Sequence, residues 1–225
     1  MTPTLRMDAH QVEPGADTID LLGLVAQFEL QSFARLAADS AAAPDLEQRL
    51  RLSRLAAAAV TRRDRVLGRI AELGGDPLQA VAQFDGVLDD FDARTAPSSW
   101  WERLLTTYVG YGVADDFCRI AAAGLDAESR ELVVELLRDS EHAELAVAAL
   151  GAAGSDDEVL VSRLALWGRR LVGEALGVVQ ALLVSRPGLV RLVEQGSAEA
   201  DASAKLFGEL TAQHTRRMGR LGLTA

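Results

Sequence analysis

The chain has 225 residues, enough to bury a substantial core, and its 49% hydrophobic content is mostly Ala, Leu and Val with only 5% aromatics. A net charge of −10 excludes a broadly basic nucleic-acid surface, although a local basic patch stays open. Cys118 is the single cysteine, which excludes an internal disulfide and suits a reducing cytoplasm; with no signal-like N-terminal run and no uncharged stretch of about 18 residues, a cytoplasmic protein without a membrane span is expected.

Residues 1–16 are polar, contain Pro3 and Pro14, and lack periodicity, so a disordered tail is expected ahead of one helical domain over 17–225. Asp17 or Thr18 caps a first helix running to about Ser40. Its inner stripe reads Leu22, Val25, Ala26, Glu29, Phe33 and Leu36, with Glu29 at the centre. Pro44 and Asp45 open a second helix that ends at Gly74-Gly75. The stripe Leu52, Ala56, Ala59, Arg63, Leu67 and Ile70 turns Arg63 inward and leaves Arg62, Asp64, Arg65 and Arg69 on solvated faces.

A shorter connecting helix is expected over 77–94, then a breaker at Ala96-Pro97. Ser99-Trp-Trp-Glu102 has capping-box spacing and starts a third long helix, which stacks Leu104, Thr107, Tyr111, Asp115 and Cys118 on one side. Gly110 and Gly112 flank Tyr111, allowing a close approach or loosening the helix there. Asp126 caps a fourth helix, continuous through 131–150, whose stripe is Leu132, Leu136, Asp139, Ala143, Ala146 and Leu150. Ser155 to Glu158 forms a second capping box leading to about Ser185, followed by helices over 187–195 and 198–221. Long helices with short connections predict an all-α fold, a four-helix bundle with additional C-terminal helices.

An ionised carboxylate inside an apolar stripe is costly unless a cation, a metal or several donors meet it. Asp139 is followed at i+3 by His142, the half-site that di-iron helical bundles use. In such ferritin-like proteins one helix offers an acid, and the next, about 30 residues on, offers Glu-x-x-His. Here the first unit reads Glu29 then Val60 and Arg63, and the second reads Tyr111 then Asp139 and His142. Three of the six expected ligands are present.

The words ELQSFARLAADSAAAP (29–44), APSSW…TTYVGYGVADDF (96–117), DSEHAELAV (139–147), ALWGRRLVGEAL (165–176) and HTRRMGRLGL (214–223) together resemble the MiaE-like ferritin-like proteins of actinobacteria. These are named for similarity to the tRNA 2-methylthio-isopentenyladenosine hydroxylase. The resemblance spans roughly residues 18–223. It implies a ferritin-like bundle and, where the motif is complete, a di-iron centre for oxygen-dependent hydroxylation. It carries Glu29, Asp139 and His142 as retained metal-ligand positions, and departs at Val60, Arg63 and Tyr111.

Two readings stand. In the first, the Arg63 guanidinium replaces the metal charge and bridges Glu29 and Asp139, with the Tyr111 hydroxyl joining the network. No cofactor is then expected, and the chain is a non-catalytic binding or scaffold protein, acting through a protein partner or self-association. In the second, the chain is a non-haem di-iron hydroxylase of a modified tRNA base, with Asp115 supplying the missing third-helix acid. A single metal on Glu29, Asp139 and His142 lies between the two. A tRNA enzyme would need clustered cations, for which Arg62, Arg65 and Arg69 or Arg216, Arg217 and Arg220 are available. Elsewhere, His214 is expected as a packed core histidine, Glu174 as the partner of Arg170, and Cys118 as an inert core thiol.

Overall fold

A computed structural model describes residues 15–138, 141–155, 157–197 and 202–225, apart from the Ser203 side chain, and among them every regular element is helical. The expected tail lies almost wholly outside the described residues. The first helix, α1 (Ala16–Ala42), starts where Gly15 adopts φ 99°; neither Asp17 nor Thr18 caps it. Residues 21–29 of α1 are buried without interruption, since a run apolar on all sides needs cover on all sides. At Gly23 an added Cβ would lie 2.2 Å from the Ala80 carbonyl oxygen, so only glycine lets α1 pass beneath the short helix that carries Ala80.

α2 (Leu46–Glu72) is capped by Asp45, whose carboxylate accepts from the Gln48 N–H at 2.8 Å, and runs antiparallel to α1. Its buried face is Leu52, Leu55, Ala56, Ala59, Val66 and Ile70. The connecting segment is two short helices rather than one, α3 (Pro77–Ala82) and α4 (Asp89–Arg94), separated by turns and by Gly86 at φ 71°. Ser99 caps α5 (Trp100–Leu105), its hydroxyl accepting from the Glu102 N–H at 3.2 Å, while the Glu102 carboxylate accepts from the Ser98 N–H and hydroxyl, each at 2.7 Å.

α5 continues through a π-helical segment, Thr106–Tyr111, into α6 (Gly112–Ala121) and a closing 3-10 turn, Ala122–Gly124. The loosening anticipated around Tyr111 is thus a wider helical turn. Gly110 receives the Phe91 ring, and Gly112 the Arg217 guanidinium; an added Cβ would meet them at 2.5 and 2.6 Å.

The fourth bundle helix is not continuous. α7 (Ala127–Leu136), capped by Asp126, ends in a turn at Leu137 and Arg138, and α8 (Glu141–Gly154) follows. Arg119 of α6 donates to the Leu137 carbonyl oxygen at 3.0 Å, satisfying an acceptor that a helix end leaves open. α9 (Glu158–Ser185) is capped by Asp157, two residues beyond the expected Ser155, whose hydroxyl instead donates to the Ala152 carbonyl. α10 (Pro187–Gly196) and α11 (Ala202–Arg220) complete the chain.

α1, α2, the α5–π–α6 helix and the α7–α8 pair form the bundle; α9 packs along the π segment, and α11 packs on α6 and α9. Most buried apolar side chains form one continuous core, and a smaller cluster of Leu36, Ala43, Leu52, Leu55, Ala56 and Leu145 lies where α1, α2 and α8 meet. Each large side chain buried there contributes about 1.5–3 kcal/mol. No single helix among the described residues is long and apolar enough to cross a membrane.

Candidate functional site

The bundle interior holds a cavity of about 80 Å³, with Glu29, Ser32 and Leu36 of α1, Arg62 of α2, Thr107 and Tyr111 of the π segment, Asp115 of α6, Leu136 and Leu137 at the end of α7, and His142 of α8 on its wall. Glu29 and His142 are therefore together, with Tyr111 beside them. Asp139 lies outside the described residues.

The arginine that enters is Arg62, not Arg63. Arg62 Nε donates to Glu29 Oε1 at 2.8 Å, and the two side chains are only 17% and 7% exposed. Arg63 turns back onto its neighbour, its Nε and Nη2 donating to Asp64 Oδ1 at 3.0 and 2.8 Å. The expected register of α2 was off by one position. The buried face runs Leu55, Ala59, Val66, and Arg62 stands one turn from both Ala59 and Val66 on that line. Val60, at a position where the motif has an acid, offers no donor.

Tyr111 also has a different partner. Arg35 Nε donates to the Tyr111 hydroxyl at 3.1 Å, its guanidinium carbon lies 5.3 Å from the ring centroid, and its Nη2 pairs with Asp92. Phe91 meets the ring edge-on at 6.4 Å. Burial pushes the Tyr111 hydroxyl up to about 12, so it stays protonated while it accepts from Arg35. Deeper along α1, Asp39 is 1% exposed and accepts from Arg103 Nη1 at 3.0 Å and from the Thr107 hydroxyl at 3.3 Å. Burial raises its carboxyl even so.

Asp115 does share the cavity with Glu29. Burial, reinforced by the Glu29 charge, pushes its carboxyl up to about 7. Its neighbour Asp116 is held by Arg119 Nη1 and Arg217 Nη2, each at 2.6 Å. Cys118 is buried, and its thiol is pushed well up by that burial, as an inert core thiol requires.

The cavity can be tested against a di-iron centre, which needs about four carboxylates and two histidines. The described lining brings Glu29, Asp115 and His142, and sets a permanent cation against Glu29. Among the described residues no three His, Cys, Asp or Glu side chains are grouped so as to hold a metal ion. The described donors do not fit a di-iron centre.

The proposed cation patches are largely spent inside the molecule. Arg65 makes two hydrogen bonds to the Glu135 carboxylate at 3.0 and 2.9 Å. Arg69 reaches Ser129, Asp126 and Glu128. Arg217 is tied to the Gly112 carbonyl and Asp116. Arg216 and Arg220 are exposed on α11, which packs on α6, α9 and α10, whereas α2 packs on α1, α7 and α8. Glu174 pairs with Arg94 at 3.3 Å, while Arg170 lies over the Trp167 ring at 5.6 Å. His214 is 2% exposed, as a core histidine, with neither ring nitrogen hydrogen-bonded, and burial lowers its pKa to about 4.

The residues missed by sequence reasoning are Arg35, Asp39, Arg62, Asp92 and Arg103. Only Arg62 carried a usable signal, its position one turn from Ala59 and Val66.

A helical bundle with a charged, hydrogen-bonded centre among its four helices defines the class. Residues 15–196 match the family described as the ferritin-like domain of actinomycetes, and the chain belongs to that family. No curated relative matches it.

Proposed function

We propose that this is a MiaE-like ferritin-like protein that has given up its metal, in which a side-chain cation occupies the centre and the bundle serves as a non-catalytic binding or scaffold protein. The observation that carries this reading is the Arg62–Glu29 ion pair on the cavity wall. Two metal cations beside a fixed guanidinium, in a space of about 80 Å³, would repel it strongly. The role is the one expected of Arg63, transferred by one residue to Arg62. A cytoplasmic location, with a protein partner or self-association and no cofactor, belongs to the same proposal.

The competing reading, an iron-dependent hydroxylase of a modified tRNA base, draws on one observation, that Glu29, Asp115 and His142 line the same cavity. It loses electrostatic support because Arg62, Arg65, Arg69 and Arg217 are engaged with acids of the same chain. Elemental analysis of protein purified from iron-supplemented cells decides between them. The proposal expects iron and manganese far below one atom per chain, and near-stoichiometric metal overturns it.

A further inference from the structure

A groove of about 290 Å³ lies between the α4 segment and α9. Its floor is apolar, with Val87 and Phe91 on the α4 side and Val178, Ala181 and Leu182 on α9. Gly177 lines it too, in the interior of α9, where a helix disfavours glycine. No described neighbour calls for a glycine there, since an added Cβ would have nothing within 4 Å. Gly168 of the same helix differs, because Met218 fills the space a Cβ would take. What the missing side chain of Gly177 leaves open is the groove itself. Behind the floor is a second, apolar space of about 20 Å³, which shares Phe91, Val178 and Leu182 with the groove. It admits no more than a water-sized group, but it gives Val178 and Leu182 room to shift under a ligand.

The charges are arranged unevenly. Arg94 meets Glu174 at 3.3 Å and Arg186 meets Gln83 at 2.7 Å, so the two walls run antiparallel. At the Glu174 end the ion pair cancels. Further along stand Asp90, its side chain 91% exposed and tied to Arg94 only at 4.0 Å, and Ser185, where α9 ends with the partial negative charge of a helix C-terminus. Arg186 is engaged elsewhere, with Gln83 and over the Phe84 ring at 4.6 Å. Asp85 and Asp89, both exposed on the approach to α4, add to the same negative field.

We propose that this groove binds a small organic cation, an amine with an apolar body. At the ~30 Å³ that a water occupies in the liquid, 290 Å³ holds roughly ten heavy atoms. The body lies over Gly177 against Phe91, Val178 and Leu182, and the ammonium meets Asp90. Charge selects this ligand over its isosteres. A neutral analogue keeps the apolar contact and loses the ion pair, and an anion faces Asp90 and Glu174 while Arg94 is already shared between those two acids. So small a site gives a dissociation constant on the order of 0.1 mM. This rests on the reading of the bundle as a binding protein and names a ligand class for it. Iron content tests that reading and ligand titration tests this one.

The test is calorimetric titration of the full chain with 2-phenylethylamine, 2-phenylethanol and phenylacetate, three probes of nearly one shape and different charge. The amine is expected to bind, the alcohol about 3–10-fold more weakly, and the anion not measurably. Gly177→Leu fills the groove and abolishes amine binding without lowering the melting temperature, since nothing stands against the new side chain. Gly208→Leu, at an equally open glycine of α11, leaves binding intact. Asp90→Asn brings the amine down to the affinity of the alcohol and leaves the alcohol unchanged. The proposal is overturned if the amine does not bind, if the anion binds as well as the amine, if amine binding survives Gly177→Leu, or if the preference for the amine survives Asp90→Asn.

Discussion

Glu29 is buried against Arg62, and the two side chains are only 7% and 17% exposed. Replacing Arg62 by Met keeps its length and removes its charge, leaving a buried carboxylate under-compensated. Urea unfolding at neutral pH should show a loss of about 3 kcal/mol, and adding Glu29→Gln should recover much of it because the two effects do not add. Asp115 and His214 give opposite slopes to stability against pH. Asp115 titrates at about 7 when folded against 3.8 in the free acid, so the folded state holds the proton more tightly and stability falls as pH rises through about 4–7. His214 titrates at about 4 when folded against 6.5, so the unfolded state takes the proton first and stability falls as pH drops from about 6.5 to 4. In the wild type these slopes oppose each other. Asp115→Asn should expose a stability that climbs with pH across that window, and His214→Leu one that declines, each by up to roughly 3 kcal/mol in urea titrations at stepped pH. Glu29 was legible because a charge amid Leu22, Val25, Ala26 and Leu36 violates the pattern. Arg62 and Arg63 were confused because adjacent arginines differ by only 100° on a stripe nearly that wide. Arg35 and Asp92 were illegible, since each looks like an ordinary surface residue until 57 positions of chain fold them together.

Among the elements, the π segment does most to shape the centre. It places Tyr111 on the cavity wall while opening Gly110 to Phe91 and Gly112 to Arg217. Gly110→Ala drives a methyl to 2.5 Å from the buried Phe91 ring, whereas Gly112→Ala meets the end of a long side chain. Thermal melts should show the first costing about 1–3 kcal/mol and the second less, if Arg217 can slide while keeping Asp116. Ser99→Ala should cost about 1 kcal/mol by removing the cap of α5. The Asp45, Ser99 and Asp126 caps were readable because capping is a local bargain between a side chain and the next turn. The break after Leu136 was not readable, because the apolar stripe continues across it and the group that satisfies the Leu137 carbonyl, Arg119, comes from another helix.

At the scale of the whole molecule, the bundle followed from helix lengths and loop lengths, which is what a 3.6-residue period can report. The last helices looked like additions because nothing local says what they cover. In fact α10 lies against the start of α1, where Arg191 Nε donates to Asp17 Oδ2 at 2.7 Å, and it passes so close to the 3-10 turn that a Cβ on Gly124 would lie 2.2 Å from the Leu192 carbonyl oxygen. α11 inserts Met218 against Gly168, leaving room for no Cβ there, and brings Arg217 to Asp116. A chain ended at Gly196 retains the family-matching region yet strips the cover from α6 and α9; its urea transition should become broad or be lost, against a single sharp one for the full chain. The same contact sets a timetable for synthesis. While α11 is still inside the ribosome, Asp116 has Arg119 but not Arg217, and the groove beside Gly168 is unfilled. The nascent protein must wait in a part-finished, sticky form until α11 emerges, and any helper that guards such chains has that interval in which to act.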